Sequence, residues 1–428
     1  MNATENKGGI RGRYLLVWIA MCGMIGTSVG MVKNCTGIFF NPIAETYGIG
    51  RGAVSLTMTI TCVMLALGDL LSARFIGSRH FRKKVWFWSA GVIVPTLLMA
   101  VSPNIGVLYL LHVFRAFAGG ILGLVISTII INRWFVRYNS LVTGVVLAVS
   151  GLTGALMAPV LSAVIELTNW RIGYLAEAAF MLLFYLPVLF LPVSFAPEDL
   201  GLPALGAAEE PVQAEETAPL PKDQEAPADG KPAAGKESAA IPLTLMALML
   251  VYVFMGNCIS SLSQHLPGIA DSAGFTTAVG AALVSVCMAA NAGGKVVMGM
   301  LADRFGRKWP AVAYAALIGA GLFLMLTVRT VPAAFLGAVS VGLAFSITTV
   351  VASLITKDAF GRDKYSRTFP VISMAGTLSG AAAAPAIGSV YDFTGNYTLA
   401  IFIELCFAVT IIALILLIYT RAGRERSI

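Results

Sequence analysis

Apolar residues run along this chain in twelve long blocks, each closed by a short polar or charged turn. In the first half the blocks fall near 14–39, 53–73, 85–102, 106–131, 140–165 and 172–193. In the second they fall near 242–264, 277–302, 310–328, 332–356, 366–391 and 397–419. A helix of about 20 apolar residues crosses the ~30 Å hydrocarbon core of a bilayer. Inside that core every backbone N–H and C=O has to find its partner within the segment, so each block is predicted to be a spanning α-helix. The shortest separators are Ser102-Pro103-Asn104 and Thr330-Val331-Pro332. The pattern therefore predicts an all-α integral membrane protein with twelve transmembrane helices.

Composition agrees with the pattern. Of 428 residues, 57% are hydrophobic and 12% charged, whereas a soluble domain carries about 25% charged residues. That deficit excludes an ordinary soluble enzyme and a disordered chain. The net charge of +7 does not make a nucleic-acid binder, because the basic residues fall in short clusters between apolar blocks instead of forming a stripe.

Those clusters set an orientation. With both ends inside, 23 of the 29 lysines and arginines lie in cytoplasmic segments, and only Arg51, Arg171 and Arg329 lie outside. The largest groups are Arg74, Arg79, Arg82, Lys83 and Lys84 after the second block, and Lys357, Arg362, Lys364 and Arg367 after the tenth. A multi-pass protein of the plasma membrane (the bacterial cytoplasmic membrane) with both termini cytoplasmic is expected, its partner on all sides being the lipid bilayer. The first block is full length and lacks a small-residue cleavage site, so it reads as an anchor. Six cysteines without paired spacing and three scattered histidines give neither a disulfide framework nor a metal site. No catalytic constellation, metal or cofactor is expected.

Between 195 and 240 the composition turns to Ala, Pro, Glu and Gly, and ten of the 22 acidic residues lie there. Such a stretch buries no apolar core and is predicted to be a flexible cytoplasmic linker. It divides the chain into an N-terminal six-helix half (1–194) and a C-terminal six-helix half with a short basic tail (241–428).

The loop after the eighth block reads Gly299-Met300-Leu301-Ala302-Asp303-Arg304-Phe305-Gly306-Arg307-Lys308. A glycine, an Asp-Arg pair, then glycine and basic residues resemble the cytoplasmic loop signature of the major facilitator superfamily. The resemblance implies two pseudo-symmetric halves and a gate formed by Gly299, Asp303, Arg304, Gly306 and Arg307. The equivalent first-half loop, Gly68-Asp69-Leu70-Leu71-Ser72-Ala73-Arg74, has Ser72 where the signature has Asp, which leaves Asp69 as the other candidate for that gate. Arg115-Ala116-Phe117-Ala118-Gly119-Gly120-Ile121-Leu122-Gly123 resembles a second signature of the same superfamily. There Arg115 must find a polar partner inside the bundle, either Glu177 or the substrate.

Three cations remain inside the blocks: Lys33, Arg115 and Lys295. Charge in a bilayer marks a pathway or an ion pair by default. In a carrier of two halves, Lys33 and Lys295 would both face the central cavity, where two ammonium groups make a carboxylate site. The sequence Lys33-Asn34-Cys35-Thr36-Gly37-Ile38-Phe39-Phe40, with Asn132-Arg133-Trp134-Phe135, Asn169-Trp170-Arg171 and the stretch from Tyr391 to Tyr397, resembles the monocarboxylate transporter family and its microbial oxalate/formate-exchanging relatives. That resemblance implies that Lys33 and Lys295 bind a substrate carboxylate. Asn291 and Lys295 stand where proton-coupled members hold Asp and Arg. Lysine replaces a bidentate fork with a point charge, and Asn291 cannot titrate.

The substrate-binding candidates are thus Lys33, Lys295, Asn291, Arg115 and Asn34. Lys33, Asp69, Glu177 and Glu404 are the candidates for carrying a proton. The expectation is a monomeric secondary carrier, symporter or antiporter, that moves a small organic carboxylate together with a proton or against another anion. Its rivals are export of another small amphipathic anion and a carboxylate sensor without transport.

Overall fold

The computed structural model describes residues 3–49, 51–77, 79–191, 193–206, 241–327 and 330–426. They form an all-helical bundle. The N-terminal half contains α1 (Ala3–Ile25), α2 (Phe40–Tyr47), α3 (Arg51–Phe75), α4 (Phe81–Met99), α5 (Ile105–Ile121), α6 (Leu124–Trp134), α7 (Asn139–Leu167) and α8 (Trp170–Phe190). The C-terminal half contains α9 (Leu243–Ser261), α10 (Leu266–Ser272), α11 (Thr277–Phe305), α12 (Lys308–Thr327), α13 (Val331–Ser346), α14 (Ala352–Thr394) and α15 (Thr398–Arg426).

Among the described residues, eleven helical stretches are long and apolar enough to cross a membrane. The one remaining crossing, third in chain order, is α4. It has 19 residues, and its first turn is occupied by Arg82, Lys83 and Lys84, which shortens its apolar run. Several crossings consist of more than one helix. The first continues from α1 through a π-helical turn at Gly26–Met31 and a 3-10 turn at Thr36–Phe39. The fourth is α5 followed by α6. The tenth joins α13 to the start of α14 through a π-helical turn at Ile347–Val351. Within α14, Gly361 takes φ +76° and ψ 170°, a conformation that L side chains avoid, and there the chain turns from the tenth crossing into the eleventh.

Helix ends follow local chemistry. Asn104 Oδ1 accepts from Val107 N at 3.0 Å and starts α5, and Asn169 Oδ1 accepts from Arg171 N and Ile172 N at 3.0 Å each and starts α8. The buried apolar core runs through both halves, with side chains such as Met21, Ile126, Trp134, Tyr252, Leu322 and Phe369. Large apolar side chains, among them Phe87, Phe114, Phe190 and Phe323, are also exposed on the outside of the bundle. In a soluble protein that surface would be an anomaly, but around a membrane bundle it is the lipid-facing belt.

One boundary differs from the sequence reading. The composition predicts that the flexible linker begins at 195, yet residues 195–206 pack on the N-terminal half at the end carrying the basic loops (the basic end). Trp134 Nε1 donates to Ser194 O at 3.2 Å, and the Arg133 guanidinium lies 4.6 Å from the Phe195 ring centre. Leu205 N donates to Trp134 O at 2.8 Å, while Val136 N and Arg137 N both donate to Leu205 O, at 2.9 and 3.0 Å. Tyr14 Oη closes the strap by donating to Pro203 O at 2.7 Å. The apolar residues Phe195, Ala196 and Pro197 bury themselves here and offset the polar composition around them. The remainder of the expected linker, 207–240, lies outside the described residues.

Candidate substrate site and gates

Lys33 sits where the first crossing leaves α-helical geometry. Val32 N donates to Thr27 O at 3.0 Å and Asn34 N to Val29 O at 3.1 Å, five residues back in each case, so the backbone is widened and underwound into a π turn. Such turns shift the side chains that follow to a different face and occur often at functional sites. Lys33 is half-buried and Asn34 exposed. Asn34 Nδ2 donates to Ser150 O of α7 at 3.1 Å.

Lys295 arrives from the other half. It lies in the middle of α11, is 3% exposed, and donates from Nζ to Leu147 O at 3.3 Å and to Ser150 Oγ at 3.4 Å. Asn34 and Lys295 therefore meet on one turn of α7, with Ser150 holding both. Lys33 stands within electrostatic reach of Lys295 and of Asp69. Asn291, one turn before Lys295, is buried against Gly151 of α7, and its Oδ1 has no hydrogen-bond partner among the described residues. The cluster thus presents one buried ammonium, one half-buried ammonium and amide groups. That set suits a compact anion with carboxylate oxygens.

The close seating of α7 on α11 is what brings Lys295 across. At Gly144 a Cβ would run into Lys295 O, and at Gly299 one would run into Ser140 O. Glycine at both positions lets the two backbones touch.

The basic end is tied between halves. Asp303, at the end of α11, accepts from Ser140 N at 3.1 Å (Oδ1) and from Leu141 N at 2.8 Å (Oδ2), capping the first turn of α7. A carboxylate there also faces the positive end of that helix dipole. Lys357 Nζ donates to Asn139 Oδ1 at 3.1 Å, a second link between the halves. Arg307 forms an ion pair with Asp358, and Asp358 Oδ2 also accepts from Tyr419 Oη at 2.9 Å, so this residue ties the C-terminal half to itself. Arg304 lies over the Phe305 ring, and Gly306 turns the chain at φ +77°. In the first half, Ser72 Oγ donates only to its own helix, at Asp69 O. Asp69 takes the longer reach: Oδ1 accepts from Val125 N at the start of α6 at 3.4 Å, and Oδ2 accepts from Ser373 Oγ of α14 at 3.5 Å.

Arg115 does not join the lysines. Its Nη2 donates to Glu177 Oε1 at 2.6 Å, with the two side chains 1% and 0% exposed, and its Nη1 points at Met99 Sδ, 3.7 Å away. The pair stands behind the first crossing, in reach of Cys35 and Tyr174. Of the two partners the sequence left open for Arg115, the structure shows the ion pair with Glu177. Ser150 and Ser373 were not singled out by the sequence. Ser150 adjoins the glycine face of α7 (Gly144, Gly151), which was the available signal; nothing comparable flags Ser373.

Two six-helix halves that meet around a polar centre and are tied at one end by a carboxylate cap define a membrane carrier. Residues 21–297 and 248–427 match the sequence profile of the Major Facilitator Superfamily. The chain belongs to that superfamily. Its fold is similar to that of the proton:xylose symporter XylE bound to 6-bromo-6-deoxy-D-glucose (12% identity, TM-score 0.71, 96% of each chain covered). FucP of E. coli, a fucose:proton symporter, in its outward conformation is also similar (11% identity, TM-score 0.68, 95% of this chain and 99% of that one). So is the human organic anion transporter MFSD10 (13% identity, TM-score 0.67, 95% and 99%). At these identities the likeness concerns the fold alone. Comparison with curated protein sequences returns no match.

Proposed function

We propose that this superfamily member is a secondary carrier of a small organic carboxylate, of the monocarboxylate or oxalate/formate type, working by alternating access across the plasma membrane. Carriers of sugars and of organic anions share the fold, so the cargo has to be argued from the site. The observation that carries the reading is the meeting of Lys295 and the Lys33-Asn34 pair, from opposite halves, on the Ser150 turn of α7. A carboxylate between them makes charge-assisted hydrogen bonds to both halves at once. Those bonds hold the halves together around the cargo and are broken and remade as the halves rock. Asn291 and Asn34 supply amide donors beside the lysines. The basic end is cytoplasmic in this reading, and the links through Asp303 and Lys357 close it. Each monomer is a transport unit.

Uptake of labelled formate, oxalate, lactate and pyruvate into proteoliposomes tests the proposal. Lys295→Ala is expected to weaken uptake of the transported acid about 10- to 100-fold, the value of a hydrogen bond to a charged group, while Lys295→Arg retains a large part of it. Transport of none of these acids, or unchanged uptake in Lys295→Ala, would contradict the assignment.

A further inference from the structure

The two halves repeat a sequence pattern with one difference. Asn34-Cys35 of the first crossing recurs as Asn257-Cys258 of the seventh, and Asn169 with Glu177 recurs at the same spacing as Asn396 with Glu404. Local roles recur as well. Asn396 Oδ1 accepts from Thr398 N at 3.0 Å at the start of α15, as Asn169 does at the start of α8. Each glutamate lies in electrostatic reach of the cysteine of its own repeat, Glu177 of Cys35 and Glu404 of Cys258. The difference is the counter-charge. Glu177 has Arg115, the eleventh residue of α5, whereas the eleventh residue of α13 is Val341. Glu404 is 3% exposed, and its Oε2 has no hydrogen-bond partner among the described residues.

The helices packed on α15 are α9, α12 and α14, and none brings a cation to Glu404 among the described residues. On α9, Cys258 is the titratable neighbour, while Tyr252 donates to Ile347 O at 2.8 Å. On α12, Tyr314 donates to Gly294 O at 2.9 Å, and Lys308 lies at the basic end. The charged residues of α14 from Lys357 to Arg367 sit at the basic end, where Asp358 takes Arg307 and Tyr419. Tyr391, at the other end of α14, stacks on Tyr397 at 4.5 Å. On α15 itself Cys406 faces outward. An anion at Glu404 would be uncompensated in the bundle, and such a charge is neutralised either by a fixed cation or by a mobile one.

We propose that Glu404 is the proton-binding site of this carrier, with a mobile proton standing where the other half has Arg115. An O–H bond forms at a Glu404 carboxylate oxygen with a proton taken from the water on one side of the membrane. It breaks on the other side, and the proton leaves to water with no change in electron count. The charge acts directly on α9, which ends three residues beyond Cys258 and gives way to a 3-10 turn at Leu262–Gln264. The adjacent residue, Asn257, seats α9 against Gly376 and Gly380 of α14. Protonation therefore changes the charge beside the stretch where α9 ends and packs on α14. The proposal rests on the carrier reading given above and extends it to coupling.

Two measurements test it. In proteoliposomes, Glu404→Gln is expected to keep carboxylate counterflow at equal pH and to lose the stimulation of uptake by an acid-outside gradient, while Cys258→Ala keeps both. Glu404→Asp, which retains a titratable carboxyl, is expected to keep the stimulation and guards against a folding defect in the amide variant. Full gradient stimulation in Glu404→Gln overturns the proposal, and so does a parent protein indifferent to the gradient. The second measurement needs no cargo. The infrared difference spectrum of the purified protein between acid and alkaline buffer is expected to contain a buried carboxylic C=O band that vanishes in Glu404→Gln. An unchanged band overturns the proton site whatever the cargo. Absence of carboxylate counterflow in the parent overturns the cargo assignment instead, and the infrared result then decides the proton site alone.

Discussion

Arg115→Ala is expected to destabilise the protein by about 3–5 kcal/mol, because it leaves a buried glutamate without its partner. Glu177 is 0% exposed and its Oε2 already lacks a hydrogen bond among the described residues, so neither water nor a second donor takes over from Arg115. Thermal unfolding in detergent and the yield of monodisperse protein measure the effect. Changing both residues to apolar ones of similar size, Arg115→Met with Glu177→Leu, is expected to recover most of the loss, since an apolar replacement of a buried ion pair is often neutral or stabilising. If the single and double variants unfold alike, the pair does not contribute as described. Glu404→Gln serves as the contrast. It removes a carboxylate that has no cation to lose, and its unfolding temperature is expected to stay at or above that of the parent.

The second large effect is expected at Gly144. In Gly144→Val the new Cβ overlaps Lys295 O, so α7 and α11 cannot keep their present spacing. Overpacking of this kind costs about 1–3 kcal/mol in the state that suffers it. Here that is the conformation with the basic end closed, so an equilibrium constant between open and closed forms is expected to shift about 5- to 150-fold toward the open form. A single cysteine placed at Ser140, in a background freed of the native cysteines, reports the change: its labelling by a thiol reagent from the basic side is expected to accelerate in Gly144→Val. The Asp303→Asn variant keeps the shape of the cap and loses its charge, so the shift there is expected to be smaller. Unchanged labelling in Gly144→Val would mean that the contact between α7 and α11 does not hold the closed end.

Much of the fold was legible in the sequence, for reasons peculiar to membranes. A span has to satisfy its backbone alone, so hydropathy reports it without tertiary information, and most predicted blocks coincide with the helices to within a few residues, although α1 starts at Ala3 and α15 runs on to Arg426. The shortest apolar run, α4, is short because Arg82, Lys83 and Lys84 occupy its first turn, and those same residues form part of the basic cluster that indicated orientation. The strap at 195–206 was not legible. Its Pro and Gly residues and its Glu198-Asp199 pair resemble a tether, and only the folded positions of Trp134 and Tyr14 give Pro203 and Leu205 their partners.

The site was legible in part. Lys33 and Lys295 stood out because charge inside a span is rare, but rarity alone did not distinguish a lysine that reaches the other half from an arginine paired within one half. That distinction depends on which face of the helix meets which neighbour. Arg115 turned to Glu177, while Lys295 crossed to α7 through a seam of glycines. Ser150 acquires its role only from that seam. The repeat of Asn-Cys and of Asn with Glu was present in the sequence, yet loops of different length shift its register from 223 residues between Asn34 and Asn257 to 227 between Asn169 and Asn396. A fixed-period comparison passes over it.

The central claim is that a carboxylate bridges the two halves through Lys33 and Lys295. Equilibrium binding of labelled oxalate and formate to the purified protein tests it most directly, in a double-mutant cycle of Lys33→Ala and Lys295→Ala. Each single change is expected to weaken binding about 10-fold or more, and the two losses are expected to be non-additive, because both lysines hold one ligand. Undiminished binding in the double variant would contradict it.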